Sequence, residues 1–351
     1  MISKRFFKSV TPLKFVAAVA VFAAILSSCG LGKPVETATR TTFQMNTVIT
    51  FSVTGHGAEQ VCDDMIAAID DFEKAASMQL ANSDVSRIND SAGQGCVEID
   101  AHVYEVITRA KQHSRDSGGL FDTTIGPLTS LWDVTSGNPR VPSEDEIEAA
   151  KELVDYNSIL LPGETNTVGL EKEGQMLDLG ATKGYALDIC REIMDAHGVA
   201  HGLISIGGNV MVYNDKDGKP FSVGIRYPEK DSEGYFCALS LTDTIVSTTG
   251  GYERYFEYDG ILYHHVIDPR TGYPSDSGLL SVSVVGRDGL DADCLSTAMF
   301  VGGLDYCRGL MNRGVEAIIV DADNNVYISK SLEGKMIDTH CDNENYNFMY
   351  I

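Results

Sequence analysis

The spacing of apolar and polar residues switches between two periods along the chain, and the switches mark its elements. "FQMNTVITFSVTG" (43–55) alternates with a period of two and predicts a strand. "AEQVCDDMIAAIDDFEKAAS" (58–77) instead puts Val61, Met65, Ala68, Ile69 and Phe72 on one face of a helix. "VYEVITRAKQHSRDSGG" (103–119) predicts a second helix, stopped by its glycine pair. A third opens at Pro142-Ser143, where Ser143 followed by Glu146 fits a capping box. Residues 183–197 read as an amphipathic helix and 203–213 as a buried strand. From there the chain turns β-rich through "FSVGIRYP", "YFCALSLT", "TIVSTT", "RYFEYDGILYHHVI" and "LLSVSVVG", with Asp259-Gly260 at a hairpin turn. Helices over 291–302 and 304–313 and a hairpin around "IIVDADNNVYIS" follow. This order predicts an α+β (mixed α/β) fold, a largely antiparallel sheet packed with helices.

The start of the chain follows a different logic. Lys4, Arg5, Lys8 and Lys14 precede "FVAAVAVFAAIL" (15–26), an apolar run too short for a mature membrane span but suited to a secretory signal. "LSSC", Leu26 to Cys29, resembles the bacterial lipobox, which implies cleavage before Cys29 and a lipid anchor on it. The alternative is an ordinary signal peptide with a bystander cysteine. Residues 1–28 are thus expected to be a lipoprotein signal peptide and 29–40 a flexible, lipid-anchored tether, with the protein on the extracytoplasmic side of the membrane.

Loss of the four signal-peptide cations takes the net charge from −23 to −27, which argues against nucleic-acid binding. A phosphorylated substrate would need local neutralisation. Seven cysteines beyond Cys29 are scattered without a C-x-x-C pair, so a zinc site is not expected. "DADNN" (321–325) opens like a calcium loop but has Val326 and Leu332 where glycine and glutamate are needed, and reads as a turn.

Four segments carry candidate chemistry. "LDLGATKGYALD" (177–188) runs through glycines into a helix start with Lys183 beside it, which suits an anion or simply begins a helix. "ISIGGNVMVY" (204–213) has two glycines inside a β run, for a bulge or a close approach. In "DADCLSTAMF" (291–300), Asp293 and Thr297 share a helical face and form a hard-oxygen pair of the kind Mg²⁺ accepts; the plainer reading is a cap and a packed threonine. "HHVIDPRTGYP" (264–274) crowds two histidines, an aspartate and an arginine into a turn.

In series with "MNT" (45–47), "SDVSRIN" (83–89), "GGLFDTTIGPLTSLW" (118–132) and "TTGGYERYF" (248–256), these segments resemble the FAD:protein FMN transferase (ApbE) family, over residues 41 to about 330. The resemblance implies a T-fold-related architecture with its active site in a cleft between subdomains, a catalytic domain over 41–340 and a C-terminal tail over 341–351. It implies Mg²⁺-dependent transfer of FMN from FAD to a Thr or Ser hydroxyl of an acceptor protein, with AMP released. The alternatives are an FAD pyrophosphatase and a non-catalytic flavin-binding lipoprotein. No Ser/Thr-Gly-Ala-Thr acceptor segment occurs in the chain, so the acceptor is expected to be a separate protein.

By the same resemblance the metal ligands are Asp293, Thr297 and the carbonyl of Ala181. Met45, Leu120, Phe121 and Asp122 contact the flavin half, while Asp178, Lys183 and Ile267 hold the nucleotide. His265 is the base for the acceptor hydroxyl, Asp268 positions it or the turn, and Tyr252 and Arg254 support the site. His264 is expected to be structural. The chain departs from the family pattern at Gln79, where an aromatic residue is frequent, and at Thr249 and Gly251, where Ser and Asp are.

Overall fold

The computed structural model describes residues 35–135, 138–163, 165–229, 234–339 and 346–351. The expected signal peptide, Cys29 and Cys341 lie outside the described residues. The centre is a nine-stranded sheet in the order Val35–Gln44, Thr47–His56, His201–Ile206, Asn209–Tyr213, Thr244–Gly250, Leu279–Gly286, Glu316–Asp321, Asn325–Ile328, Asn347–Tyr350. Every neighbouring pair is antiparallel except the last, which is parallel. The predicted fold class therefore holds.

The helices Ala58–Ala76, Thr182–His197 and Gly289–Met311 cover one face of the sheet. A three-stranded sheet of Phe221–Arg226, Tyr235–Leu241 and Met336–Thr339 covers part of the other. Strand sequences follow this layering. "EAIIVD" (316–321) is continuously apolar because Ala317 and Ile319 face the helices while Ile318 and Val320 face the small sheet. At the open end, Val35–Gln44 alternates, with Ala38 buried and Thr37, Thr39 and Thr41 in water.

Four expectations change. The predicted 43–55 strand is a hairpin, because Met45 and Asn46 both take positive φ (51° and 55°) and turn the chain. Residues 35–40 of the expected tether belong to its first strand, whose threonine-rich sequence favours extended backbone. The 203–213 run splits at Gly207-Gly208, a glycine pair with φ of 46° and 94° that closes a two-residue turn. Asn347–Tyr350 of the expected tail is an edge strand held by Asn325–Ile328.

The other predicted helices and hairpins form. Ser143 and Glu146 make both hydrogen bonds of the capping box that starts Glu144–Lys151. Gly289–Met311 breaks at Gly303 (φ 76°, ψ −179°), which accounts for the two helices read there.

Candidate active site

Two helix starts interlock. The Thr182–His197 helix and the Gly289–Met311 helix cross where glycine meets glycine, and a Cβ on Gly184 would lie 2.1 Å from the Gly289 carbonyl oxygen. That absence of side chains brings Asp293 over the first turn of the other helix. Its Oδ2 accepts from Gly184 N at 2.9 Å and its Oδ1 from Ser247 Oγ at 3.0 Å. In return Asp188 accepts from Gly289 N at 2.7 Å and Leu290 N at 2.9 Å, capping the second helix. Burial pushes the Asp188 carboxyl up to about 7, with the two N–H donors opposing. The segments "LDLGATKGYALD" and "DADCLSTA", distant in sequence, are one construction.

Beside this crossing lies a cleft of about 330 Å³. Of the residues singled out from sequence, Met45, Leu120, Phe121, Asp122, Asp178, Lys183, His265, Ile267, Asp293 and Thr297 all line it. Each arrives on a defined local structure. Met45 is carried by the tight turn of the first hairpin, in a left-handed conformation uncommon for a residue other than Gly, Asn or Asp. Asp122 accepts from Thr124 N at 2.8 Å, Thr124 Oγ1 at 2.6 Å and Tyr156 N at 3.2 Å, which locks its loop. Burial raises its carboxyl pKa against those bonds. Asp178 is raised by burial too, and accepts from Thr129 Oγ1 at 2.9 Å. Lys183 Nζ reaches the Gly207 carbonyl at 3.4 Å. At Gly207 a Cβ would meet Thr47 Oγ1 at 2.6 Å, so the glycine pair serves a close approach as well as a turn.

His265 follows the Ile261–His264 strand. Its backbone N–H and its Nδ1 both meet the Arg254 carbonyl, at 3.1 and 3.2 Å. A carbonyl only accepts, so Nδ1 carries the proton and Nε2 keeps its lone pair. Burial lowers its pKa to about 3, with Lys183 and Arg254 adding to the effect, so the imidazole is neutral at neutral pH. His264 is structural, as expected: it accepts from Val266 N at 3.2 Å and its Nε2 lies 3.0 Å from the Ser275 carbonyl. Gly251 lies against its ring, where a Cβ would sit 2.6 Å from Cδ2, which gives the departure from Asp a packing reason.

Asp268 and Ala181 do not line the cleft. The Asp268 carboxylate accepts from Arg270 N, Nε and Nη2 at 2.9, 3.0 and 2.7 Å and braces the turn, so it does not orient His265. Ala181 is fully buried and sits behind the wall between the lining residues Gly180 and Thr182, where its carbonyl accepts from Tyr185 N at 3.2 Å.

The donor chemistry around Asp293 fits a hard cation. Its carboxylate is 5 % exposed and has no ion-pair partner among the described residues. Its neighbours supply oxygen: Thr297 Oγ1 lies 3.2 Å from Thr249 Oγ1, which lies 2.8 Å from Ser296 Oγ. Among the described residues no group of three His, Cys, Asp or Glu side chains is placed to hold a metal ion, so a cation here would depend on hydroxyl and carbonyl oxygens besides this one carboxylate.

Sequence reasoning missed several lining residues. Glu73, Ser77 and Met78 come from the end of the Ala58–Ala76 helix, next to Gln79, which also lines the cleft. Trp132, Val134 and Thr135 come from the end of a short helix, Gly126–Trp132, that carries no long periodic pattern. The one usable signal was Trp132 itself, the single tryptophan of the chain. Its indole N–H donates to the Gly272 carbonyl at 2.7 Å.

Known proteins resemble the chain in both sequence and fold. The chain is 34 % identical over 261 residues to an FAD:protein FMN transferase of Klebsiella pneumoniae, covering 74 % of this chain and 81 % of that one. A Treponema pallidum FAD:protein FMN transferase is 31 % identical over 287 residues, covering 77 % and 79 %. Among solved structures, the ApbE protein of Thermotoga maritima superposes with a TM-score of 0.81 at 31 % identity, over 86 % of this chain and all of that one. The sequence profile of the ApbE family matches residues 45–319, most of the chain, and the protein belongs to the ApbE family.

Proposed function

We propose that this protein transfers the FMN half of FAD to a threonine or serine hydroxyl of an acceptor protein, using Mg²⁺, and releases AMP. One observation carries the reading most: a buried carboxylate with hydroxyl neighbours and no ion-pair partner among the described residues shares a cleft with a neutral histidine and two cations, Lys183 and Arg254. Storage of flavin needs neither the carboxylate nor the histidine.

Asp293, Thr297 and the Ala181 carbonyl would hold the ion, which would neutralise pyrophosphate charge when bound. The remaining work falls to the chain. Lys183 and Arg254 attract the pyrophosphate, and Met45, Leu120 and Phe121 offer apolar surface to the flavin ring. The acceptor oxygen attacks the phosphorus on the FMN side, the bridging P–O bond breaks, and its electron pair leaves with AMP. The hydroxyl proton passes to Nε2 of His265. Two phosphate charges beside Lys183 and Arg254 offset the field that weakens this base, so His265 gains basicity when FAD is seated.

His265→Asn is expected to lower transfer by about 10²–10⁴-fold while FAD binding persists. Flavin fluorescence quenching measures the binding, and acceptor labelling the transfer. The same variant tests the pKa. A histidine whose folded pKa lies below 6.5 binds fewer protons folded than unfolded, so it costs stability as pH falls from about 6.5 toward 3. Urea melts at pH 4.5 and 7.5 should therefore differ less for the variant than for the parent; an unchanged difference would refute the lowered pKa.

Lipidation at Cys29 and an extracytoplasmic position belong to the same proposal and rest on the order of basic, apolar and small segments before that cysteine. Among the described residues no helix is long and apolar enough to cross a membrane. Cys29→Ser should release the protein from the membrane fraction, and mass spectrometry of the parent should find acyl chains on its first residue. A soluble parent without acyl mass contradicts the anchor. Function itself is tested by mixing FAD, Mg²⁺ and a carrier protein bearing Ser-Gly-Ala-Thr, then looking for a fluorescent band after denaturation. AMP with free FMN and no band would favour hydrolysis.

A further inference from the structure

One element near the cleft has no role in the chemistry above. Tyr255–Tyr258 and Ile261–His264 pair only with each other, closed by Asp259 and Gly260 at φ of 51° and 75°. Its register sets Phe256 opposite Tyr263 and Tyr258 opposite Ile261. Alternation therefore places all four on one face, as a single apolar stripe.

The base of the stripe is anchored. Phe256 stacks on Tyr263 at 5.3 Å between centroids, and Tyr263 stacks on Trp132 at 5.3 Å. Trp132 is itself a wall of the cleft. The tip is not covered: Tyr258 and Ile261 are each 55 % exposed, and Leu262 on the opposite face is 50 % exposed. Large apolar side chains clustered on a projecting hairpin mark a contact surface more often than they mark chance exposure. Arg254 and His265, directly flanking the two strands, line the cleft. From Ile261 to His265 the extended chain spans only ~13 Å.

Charge narrows the occupant. Between Tyr255 and His264 the hairpin carries Glu257 and Asp259 and no lysine or arginine, on a chain of net charge −23. Anionic lipid headgroups would be repelled, whereas a polypeptide with an apolar side chain and basic neighbours is complementary. We propose that Tyr258 and Ile261 form the docking surface for the acceptor protein, seating an apolar side chain flanked by basic residues a few positions from the hydroxyl that receives FMN. This rests on the transfer reading above and adds how the protein substrate is chosen.

The test uses two acceptors: a carrier protein displaying Ser-Gly-Ala-Thr preceded by leucine and lysine residues, and the free tetrapeptide. Ile261→Ser and Tyr258→Ser, singly and combined, should raise KM for the carrier by at least ~10-fold. Melting temperature, FAD binding and tetrapeptide labelling should stay as in the parent. Carrier binding is also followed by fluorescence anisotropy without FAD. If the parent binds the carrier through the tip but never labels it, the transfer reading fails and the surface stands. If parent and variants label the carrier with equal KM, the surface is overturned and transfer stands. Tip-dependent sedimentation with anionic vesicles, with carrier KM unchanged, would likewise overturn it in favour of a membrane contact.

Discussion

Asp293→Asn is expected to lower FMN transfer by at least ~10³-fold and to flatten its dependence on Mg²⁺. The substitution is nearly isosteric. An asparagine oxygen can still accept from Gly184 N and its amide can meet Ser247 Oγ, the two groups that hold the carboxylate now at 2.9 and 3.0 Å. What disappears is one buried negative charge that has no ion-pair partner among the described residues. The protein should therefore fold at least as well as the parent, because an uncompensated buried charge is unfavourable. AMP release measured across a Mg²⁺ titration, with a urea melt of the same sample, separates the two effects. Retained turnover with the parent's metal dependence would sink the assignment of Asp293 to the ion.

Gly184→Ala should cost both stability and activity. A Cβ at this position would lie 2.1 Å from the Gly289 carbonyl oxygen and 2.7 Å from the Asp293 Cβ. Neither neighbour is the flexible end of a side chain, so the two helices must separate. Overpacking of this kind costs about 1–3 kcal/mol. The separation also lengthens the Gly184 N–Asp293 bond and loosens the Asp188 cap on Gly289 and Leu290, so transfer should fall with stability even where the protein remains folded. Gly309→Ala is the control. It lies in the second helix with nothing within 4 Å of its added Cβ, and should be neutral or stabilising by about 0.5–1 kcal/mol. Equal urea midpoints for the two variants would show that the crossing does not depend on bare glycine.

The sequence was most legible where a pattern is local. Period-two and helical spacing found most of the sheet and the long helices, and the Ser143–Glu146 box was readable because its partners are three residues apart. The Asp259-Gly260 turn was read from its residues, whereas Gly207-Gly208, inside an apolar run, read as a bulge or close approach and proved to be a turn. Met45 has no turn signature, so the first hairpin read as one strand. The site was legible through family motifs, and residue spacing alone left Asp293–Thr297 ambiguous. What decides the ambiguity is contact between residues far apart in the chain: Gly184 against Gly289, Asp188 under Gly289, Ser247 on Asp293. Asp268 was left between two roles in sequence, and contact again decides. It lies three residues after the histidine, and the turn directs its carboxylate to Arg270.

The central claim is that FAD is divided at its pyrophosphate and only the FMN half is joined to a protein hydroxyl. Intact-mass analysis of a Ser-Gly-Ala-Thr carrier after incubation with the protein, FAD and Mg²⁺, with AMP counted in the same mixture, tests this most directly. The account predicts a mass gain of one FMN less one water, and one AMP for each carrier modified. AMP and free FMN with an unchanged carrier mass, or a carrier that gains the whole FAD, would contradict it.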